Sequence, residues 1–168
     1  MELKLFREVH QFEEWLNIAN YSNYRDGEDE GKIVLTNEFR QEMLEYLQNT
    51  INTKDNFYLS YGVPLLLALK NNKDGKIIGT ALIRRDEHNI CACQVNNIAV
   101  SKSFRRKGVG RLMLEEIAKL VHEHSNFKYI SLTTSSSQGF YQRIGMQLAG
   151  VLNIGDKKRF YFIKQIRG

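Results

Sequence analysis

Two cysteines and one proline occur in the 168 residues. Cys91 and Cys93 stand two apart, a spacing that on a strand puts both on one face and rules against a mutual disulfide. They read as small buried hydrophobes, and none of the four histidines stands at zinc-ligand spacing from them, so no metal site is expected. With Pro64 alone there is no proline-rich linker, and no repeat of solenoid or propeller period is present, so residues 1–168 are expected to form one domain. No apolar run approaches the roughly 18 residues of a membrane span. The first eight residues interleave charge with apolar groups and lack the core of a secretory signal, so a cytoplasmic protein with no membrane partner is expected.

What is present is ordinary in amount and uneven in place. Hydrophobic residues make up 42% and charged residues 26%, which excludes disorder as the general state. The net charge is +5, and residues 102–111 hold five bases and no acid, so the rest of the chain is neutral as a whole. The excess is one patch, followed by a basic tail from Asp156 onward.

Periodicity then gives the order of elements. Leu3, Leu5 and Val9 suit an opening strand that ends near Arg7. Phe12, Trp15, Leu16 and Ala19 recur at helical spacing, and Phe39, Met43, Leu47 and Ile51 form the stripe of a second helix capped by Thr36 or Asn37. Between them lies an acidic loop with Asp26, Glu28, Asp29 and Glu30. The run 65–69 reads as a buried strand, joined through Asp74-Gly75 to a strand over 77–83, and a third follows over 90–100. Leu114, Ile117, Ala118 and Val121 mark a long helix, with Glu115 and Lys119 as an i, i+4 pair. A strand over 129–133, a short helix over 137–144 and a hairpin turning at Gly155-Asp156 complete the chain. The expected fold is α/β of the α+β type: a mixed, mostly antiparallel sheet of about seven strands with helices on both faces.

Chemistry concentrates where the third strand of that sheet gives way to the long helix. Gly108 and Gly110 let the backbone approach a ligand without a Cβ in the way, and the helix N-terminus adds partial positive charge. Arg105, Arg106, Lys107 and Arg111 add full charges, so the segment is built to hold an anion such as a pyrophosphate. A Walker loop is excluded because no Gly-x4-Gly-Lys-Ser/Thr string exists, and a dinucleotide fingerprint is excluded because Met113 stands at its third small-residue position.

The string Asn96-Asn97-Ile98-Ala99-Val100, with Arg105-Arg106-Lys107-Gly108-Val109-Gly110-Arg111 after it, resembles the signature of the GNAT superfamily of acyl-CoA-dependent N-acyltransferases. Gly139-Phe140-Tyr141-Gln142-Arg143-Ile144-Gly145-Met146 is similar to that family's later Phe-Tyr-x-x-x-Gly-Phe segment. The resemblance covers roughly residues 65–166, and the first 60 only in order of elements. It implies an acetyl-CoA-dependent N-acetyltransferase that moves the acetyl group directly to an amine in a ternary complex. By the same resemblance, acetyl-CoA is held along Ile98, Ala99 and Val100 and by the backbone from Arg106 to Arg111, with Arg105 completing the motif. Tyr141 occupies the place of the general acid, and Thr134, or Ser135 or Ser137 beside it, stands where many members have a cofactor-contacting Asn.

Other features stay open. Asn96-Asn97 breaks the strand alternation in the manner of a β-bulge. No strong general base stands on that strand, and Glu87 and His88 just upstream are the candidates, with a water chain as the alternative. The acceptor is expected to be a small-molecule or peptide amine, and the acidic loop with Tyr21 and Tyr24 would suit a cationic one. The rival readings are a non-catalytic acyl-CoA sensor and a nucleic-acid module, the latter a poor fit because the patch holds two turn glycines and few aromatics. A homodimer is compatible with the sequence.

Overall fold

The computed structural model describes residues 1–23, 34–54 and 63–168. Seven strands, β1 Glu2–Leu5, β2 Leu65–Lys70, β3 Ile77–Arg85, β4 Ala92–Val100, β5 Tyr129–Thr134, β6 Gln147–Ile154 and β7 Lys157–Gln165, form one sheet in the order β1-β2-β3-β4-β5-β7-β6. The helices are α1 Phe12–Ala19, α2 Asn37–Ile51, α3 Val109–His124 and α4 Gln138–Arg143. All neighbours pair antiparallel except β4 and β5, which the α3 crossover makes parallel. The expected mixed sheet is therefore present.

Each face has its own core. Met113, Leu114, Ile117 and Val121 of α3 pack on Leu67, Ile78, Val95, Ile130 and Phe162. On the opposite face Trp15, Leu16, Met43 and Leu47 of α1 and α2 cover Leu66, Ala68, Leu82 and Ala99. Because β2 is covered on both sides, its sequence is a continuous apolar run and not an alternation. Trp15 donates its ring N–H to the Leu67 carbonyl at 2.9 Å, and Thr50 Oγ1 accepts from the Leu66 N–H at 2.9 Å, so both helices are tied to β2 by specific bonds. A Cβ added at Gly79 of β3 would lie 2.4 Å from Met113 Sδ. The close approach of α3 to the sheet thus comes from a glycine on the strand, which lets a bulky Met113 stand on the helix.

Several sequence expectations need correction. The first strand ends at Leu5, and Val9 sits exposed in a 3-10 turn, because Phe6 turns into the second core and stacks on Trp15 at 5.8 Å. The third strand of the antiparallel run starts at Ala92 and not at Ile90: Asn89 Oδ1 accepts from the Cys91 N–H at 2.9 Å and closes a turn first. Cys91 therefore lies before the strand, half-buried, while Cys93 is in the core, where burial pushes its thiol well above the ordinary range. Glu115 does not pair with Lys119. It pairs back with Arg111 at 3.2 Å, and Lys119 takes Glu116 at 3.3 Å. The second helix is capped by Thr36, whose Oγ1 accepts from the Phe39 N–H at 3.1 Å.

Candidate active site

The parallel pair β4–β5 holds together only at Ala92 with Tyr129, Cys93 with Ile130 and Gln94 with Ser131. Beyond that point β5 stays with β7 as far as Thr134, and β4 stays with β3, so the two strands part. The cause is local to β4. Between Asn96 and Ala99 it carries one residue more than β3 does between Thr80 and Leu82, which is the bulge expected from Asn96-Asn97. Asn97 takes the left-handed conformation, φ 53°, which Asn tolerates better than most residues. Its Nδ2 donates to Ser22 Oγ at 3.0 Å, fixing the bulge to the end of the first helical segment.

A pocket of about 220 Å³ fills the gap, lined by Ser22, Val95, Asn96, Asn97, Ile98, Leu132, Thr133, Tyr141 and Arg159. Of the residues singled out from sequence, Asn96, Asn97, Ile98 and Tyr141 meet here. Ala99 turns its side chain into the opposite core. Since Ala99 pairs with Thr80 and the Ser101 N–H donates to the Ile78 carbonyl at 2.7 Å, the peptide groups of Val100 face away from β3 and toward the gap. Arg105 confirms that direction by donating from Nε to the Val100 carbonyl at 3.1 Å, while its guanidinium lies 4.3 Å from the Tyr21 ring.

After β4 the chain builds a concave run of amides. Arg106 and Gly108 are both left-handed, φ 62° and 76°, with Lys107 between them outside that region, the alternation that turns successive N–H groups toward one spot. Gly108 caps α3, so the N–H groups of Val109, Gly110 and Arg111 have no acceptor within the helix and continue the run. Arg106 and Lys107 are exposed; Val109 is buried, and Arg111 is held by Glu115. A Cβ at Gly110 would meet only Phe140 Cζ at 3.6 Å. The residues present suit a polyphosphate.

Tyr141 is on α4, half-buried, its ring 5.2 Å from Phe140 and 5.8 Å from Phe162. Burial raises its pKa above the usual phenol value, and the charge of Arg159 opposes part of that rise. Thr134 Oγ1 accepts from the N–H groups of Ser136 at 3.3 Å and Ser137 at 3.0 Å, so it shapes the entry to α4. Glu87 and His88 are exposed in the β3–β4 turn and are not among the residues that line the pocket. Asp26, Glu28, Asp29, Glu30 and Tyr24 lie outside the described residues, among which no group of three or more His, Cys, Asp or Glu could hold a metal ion.

Sequence reasoning missed Arg159 and Asp86. Arg159 reads as part of a basic tail, yet on β7 it donates to Thr133 from Nε at 3.0 Å and from Nη2 at 3.1 Å. Asp86 is fully buried and accepts from Ser131 Oγ, Tyr161 Oη and the His88 N–H. Alternation along β7 was the one available signal, since it puts 159 and 161 on one face.

A sheet that opens beside an amide cradle at a helix N-terminus is the arrangement that the resemblance to the GNAT acyltransferases implied. Residues 65–147 match the family model described as an acetyltransferase (GNAT) domain, so this stretch of the chain is a GNAT acetyltransferase domain. The glucosamine 6-phosphate N-acetyltransferase of Schizosaccharomyces pombe is 25% identical over 103 residues, covering 58% of this chain and 89% of the relative. An acetyltransferase of the GNAT family from Streptococcus pneumoniae shares the fold with a TM-score of 0.65 at 22% identity, over 99% of this chain and 100% of the other. An aminoglycoside 6'-N-acetyltransferase solved with coenzyme A gives a TM-score of 0.64 at 15% identity, over 100% and 98%.

Proposed function

We propose that residues 1–168 form a single acetyl-CoA-dependent N-acetyltransferase domain that transfers the acetyl group directly to an amine in a ternary complex. The observation that carries this is the parting of β4 from β5 beside the amide run of residues 106–111, with Tyr141 on the wall of the same gap. Acetyl-CoA supplies the activated acetyl thioester, a reading supported by the aminoglycoside acetyltransferase of the same fold that was solved with coenzyme A. The amides of residues 106–111 hold its phosphates, and the outward peptide groups of Val100 and the bulge at Ile98 bind the arm as a strand would be bound. The reaction forms a C–N bond, breaks the C–S bond, releases one proton from the amine and returns one to the departing sulfur. Tyr141 Oη supplies that last proton. A phenol is by its usual pKa, about 10, a weaker acid than a thiol at about 8.5, so position does the work and burial keeps the hydroxyl protonated. A cytoplasmic setting suits the two unpaired cysteines, Cys91 and Cys93.

The test is thiol release from acetyl-CoA across amino acids, polyamines, peptides with N-terminal alanine, aminoglycosides and glucosamine 6-phosphate. Turnover with at least one of them, and a saturable thermal shift with CoA, are expected. No release with any acceptor together with no shift sinks the reading.

A further inference from the structure

The gap between β4 and β5 holds two groups that the transfer chemistry leaves unused. One is the Arg159 guanidinium. β5 bonds to β7 through Thr134, Leu132 and the residues alternating with them, so the Thr133 carbonyl turns toward the β4 side, into the parted strands. Arg159 follows it there, bonded through Nε to Thr133 Oγ1 at 3.0 Å and through Nη2 to the Thr133 carbonyl at 3.1 Å. A guanidinium has five N–H donors and Thr133 takes two, which leaves the rest of a rigid fork facing the pocket. Among the described residues, no acid lines that pocket and no carboxylate pairs with Arg159. The second group is Asn96 Oδ1, a buried acceptor with no hydrogen-bond partner among the described residues, on a residue of the same lining. A native fold keeps such orphan acceptors rare, and this one belongs to a residue on the wall of the gap.

An unpaired cation and an unpaired acceptor define their complement: an anion and an N–H donor on one small molecule. We infer that the acceptor is a small amine that also carries an acidic group, carboxylate or phosphate, with the acid against Arg159 and an N–H against Asn96 Oδ1. Charge-assisted pairing of guanidinium with carboxylate or phosphate is the strongest directional contact the lining offers. A polyamine would meet Arg159 as a like charge, so this inference replaces the cationic acceptor expected from the acidic loop. It rests on the acetyltransferase reading and narrows its substrate class.

Thiol release is measured on pairs matched except for the acid: ethanolamine against O-phosphoethanolamine, and glycinamide against glycine, with spermidine as the cationic arm. The native enzyme is expected to favour the acidic member of at least one pair by tenfold or more in kcat/KM. Arg159→Met should erase that preference, Arg159→Lys should retain part of it, and Asn96→Asp should raise KM for the acidic member. An unchanged thermal shift with CoA verifies that each variant is folded. Equal or better turnover of the neutral members or of spermidine overturns the inference, as does a preference that survives Arg159→Met, and either leaves acetyl transfer standing. No thiol release from any amine overturns the reading and the inference together. The phosphate and carboxylate pairs tell which acid the site takes.

Discussion

The N–H of Met146 donates to the carbonyl of Tyr141 at 3.0 Å, and this bond closes the helix that carries the proposed proton donor. The Gly145 N–H donates in parallel to the Gln142 carbonyl at 3.2 Å, and Gly145 takes the left-handed conformation, φ 91°, that such a closure requires. Met146 is then buried in the core beneath α4. The spacing from Tyr141 to Gly145 and Met146 is thus a device for fixing one phenol at the edge of the gap.

Replacing Gly145 by Ala tests that device. Nothing lies within 4 Å of an added Cβ, so the cost is conformational alone, about 1–2 kcal/mol. A urea titration should show that loss, and kcat should fall while KM for acetyl-CoA holds. Unaltered stability would mean that the turn has other support.

Tyr141→Phe keeps the ring contacts with Phe140 and Phe162 and removes only the hydroxyl. Stability should stay within roughly 0.5 kcal/mol, and kcat should drop by about 10² to 10⁴, the usual worth of a positioned acid. Burial raises the Tyr141 pKa, so the native alkaline limb of kcat should lie above the ordinary phenol value. Arg159→Met removes the one charge that opposes the rise, and should move that limb higher still. A limb that moves down with this variant would show that another group titrates.

Much of this arrangement is legible in the sequence, for physical reasons that can be named. Thr36, the stripe of Met43 and Leu47, and the turn glycines report local geometry, which neighbours within a few residues decide. Asn96-Asn97 is also local, since two polar residues in an apolar strand mark where the ladder breaks. Arg159 is different. Its direction depends on the pairing of Tyr161 with Thr133, 28 residues apart in the chain, and on a carbonyl freed only because β4 has left. Arg111 shows a limit at short range: Glu115 has a basic neighbour at i−4 and at i+4, and the pair that forms is the one with Arg111.

Tyr161 gives stability a pH dependence of its own. Burial, then the bond to Asp86, push its pKa up from 10.0 to about 12. Between those values the unfolded chain has lost the proton and the folded chain has kept it, so stability falls as pH rises from 10 to 12. The loss should be roughly 1–2 kcal/mol once partial solvation is allowed for. Denaturation at stepped pH should show it, and Tyr161→Phe should flatten the slope. A slope that survives the substitution assigns it elsewhere.

Gly79 and Met113 should be energetically coupled. Alanine at 79 drives its Cβ to 2.4 Å from Met113 Sδ and 3.2 Å from the Ala99 carbonyl, so α3 must move or Met113 must repack. The expected cost is about 1–3 kcal/mol. Because the N-terminus of α3 is the proposed phosphate site, CoA affinity should fall with it. Met113→Ala in the same chain should recover part of both losses, and a double-mutant cycle with no coupling would refute the packing account.

Gly108 and Arg106 separate backbone from charge in the anion site. Both are left-handed, but only Arg106 carries a side chain, and it is exposed. Arg106→Gly removes the charge and leaves the conformation open to it, so the amide run can still form. Gly108→Val forces a β-branched residue into φ 76°, at a strain of about 1–3 kcal/mol that is relieved only by turning the amides away. If amides hold the phosphates, Gly108→Val should weaken CoA binding tenfold or more while Arg106→Gly weakens it about threefold. Salt separates them further, since an exposed charge is screened over roughly 10 Å at 0.1 M and a directed N–H bond is not. Calorimetric titration with CoA at low and high salt should therefore find the Arg106→Gly deficit fading and the Gly108→Val deficit persisting. The reverse order would mean that side-chain charge, and not the fold of residues 106–111, selects the ligand.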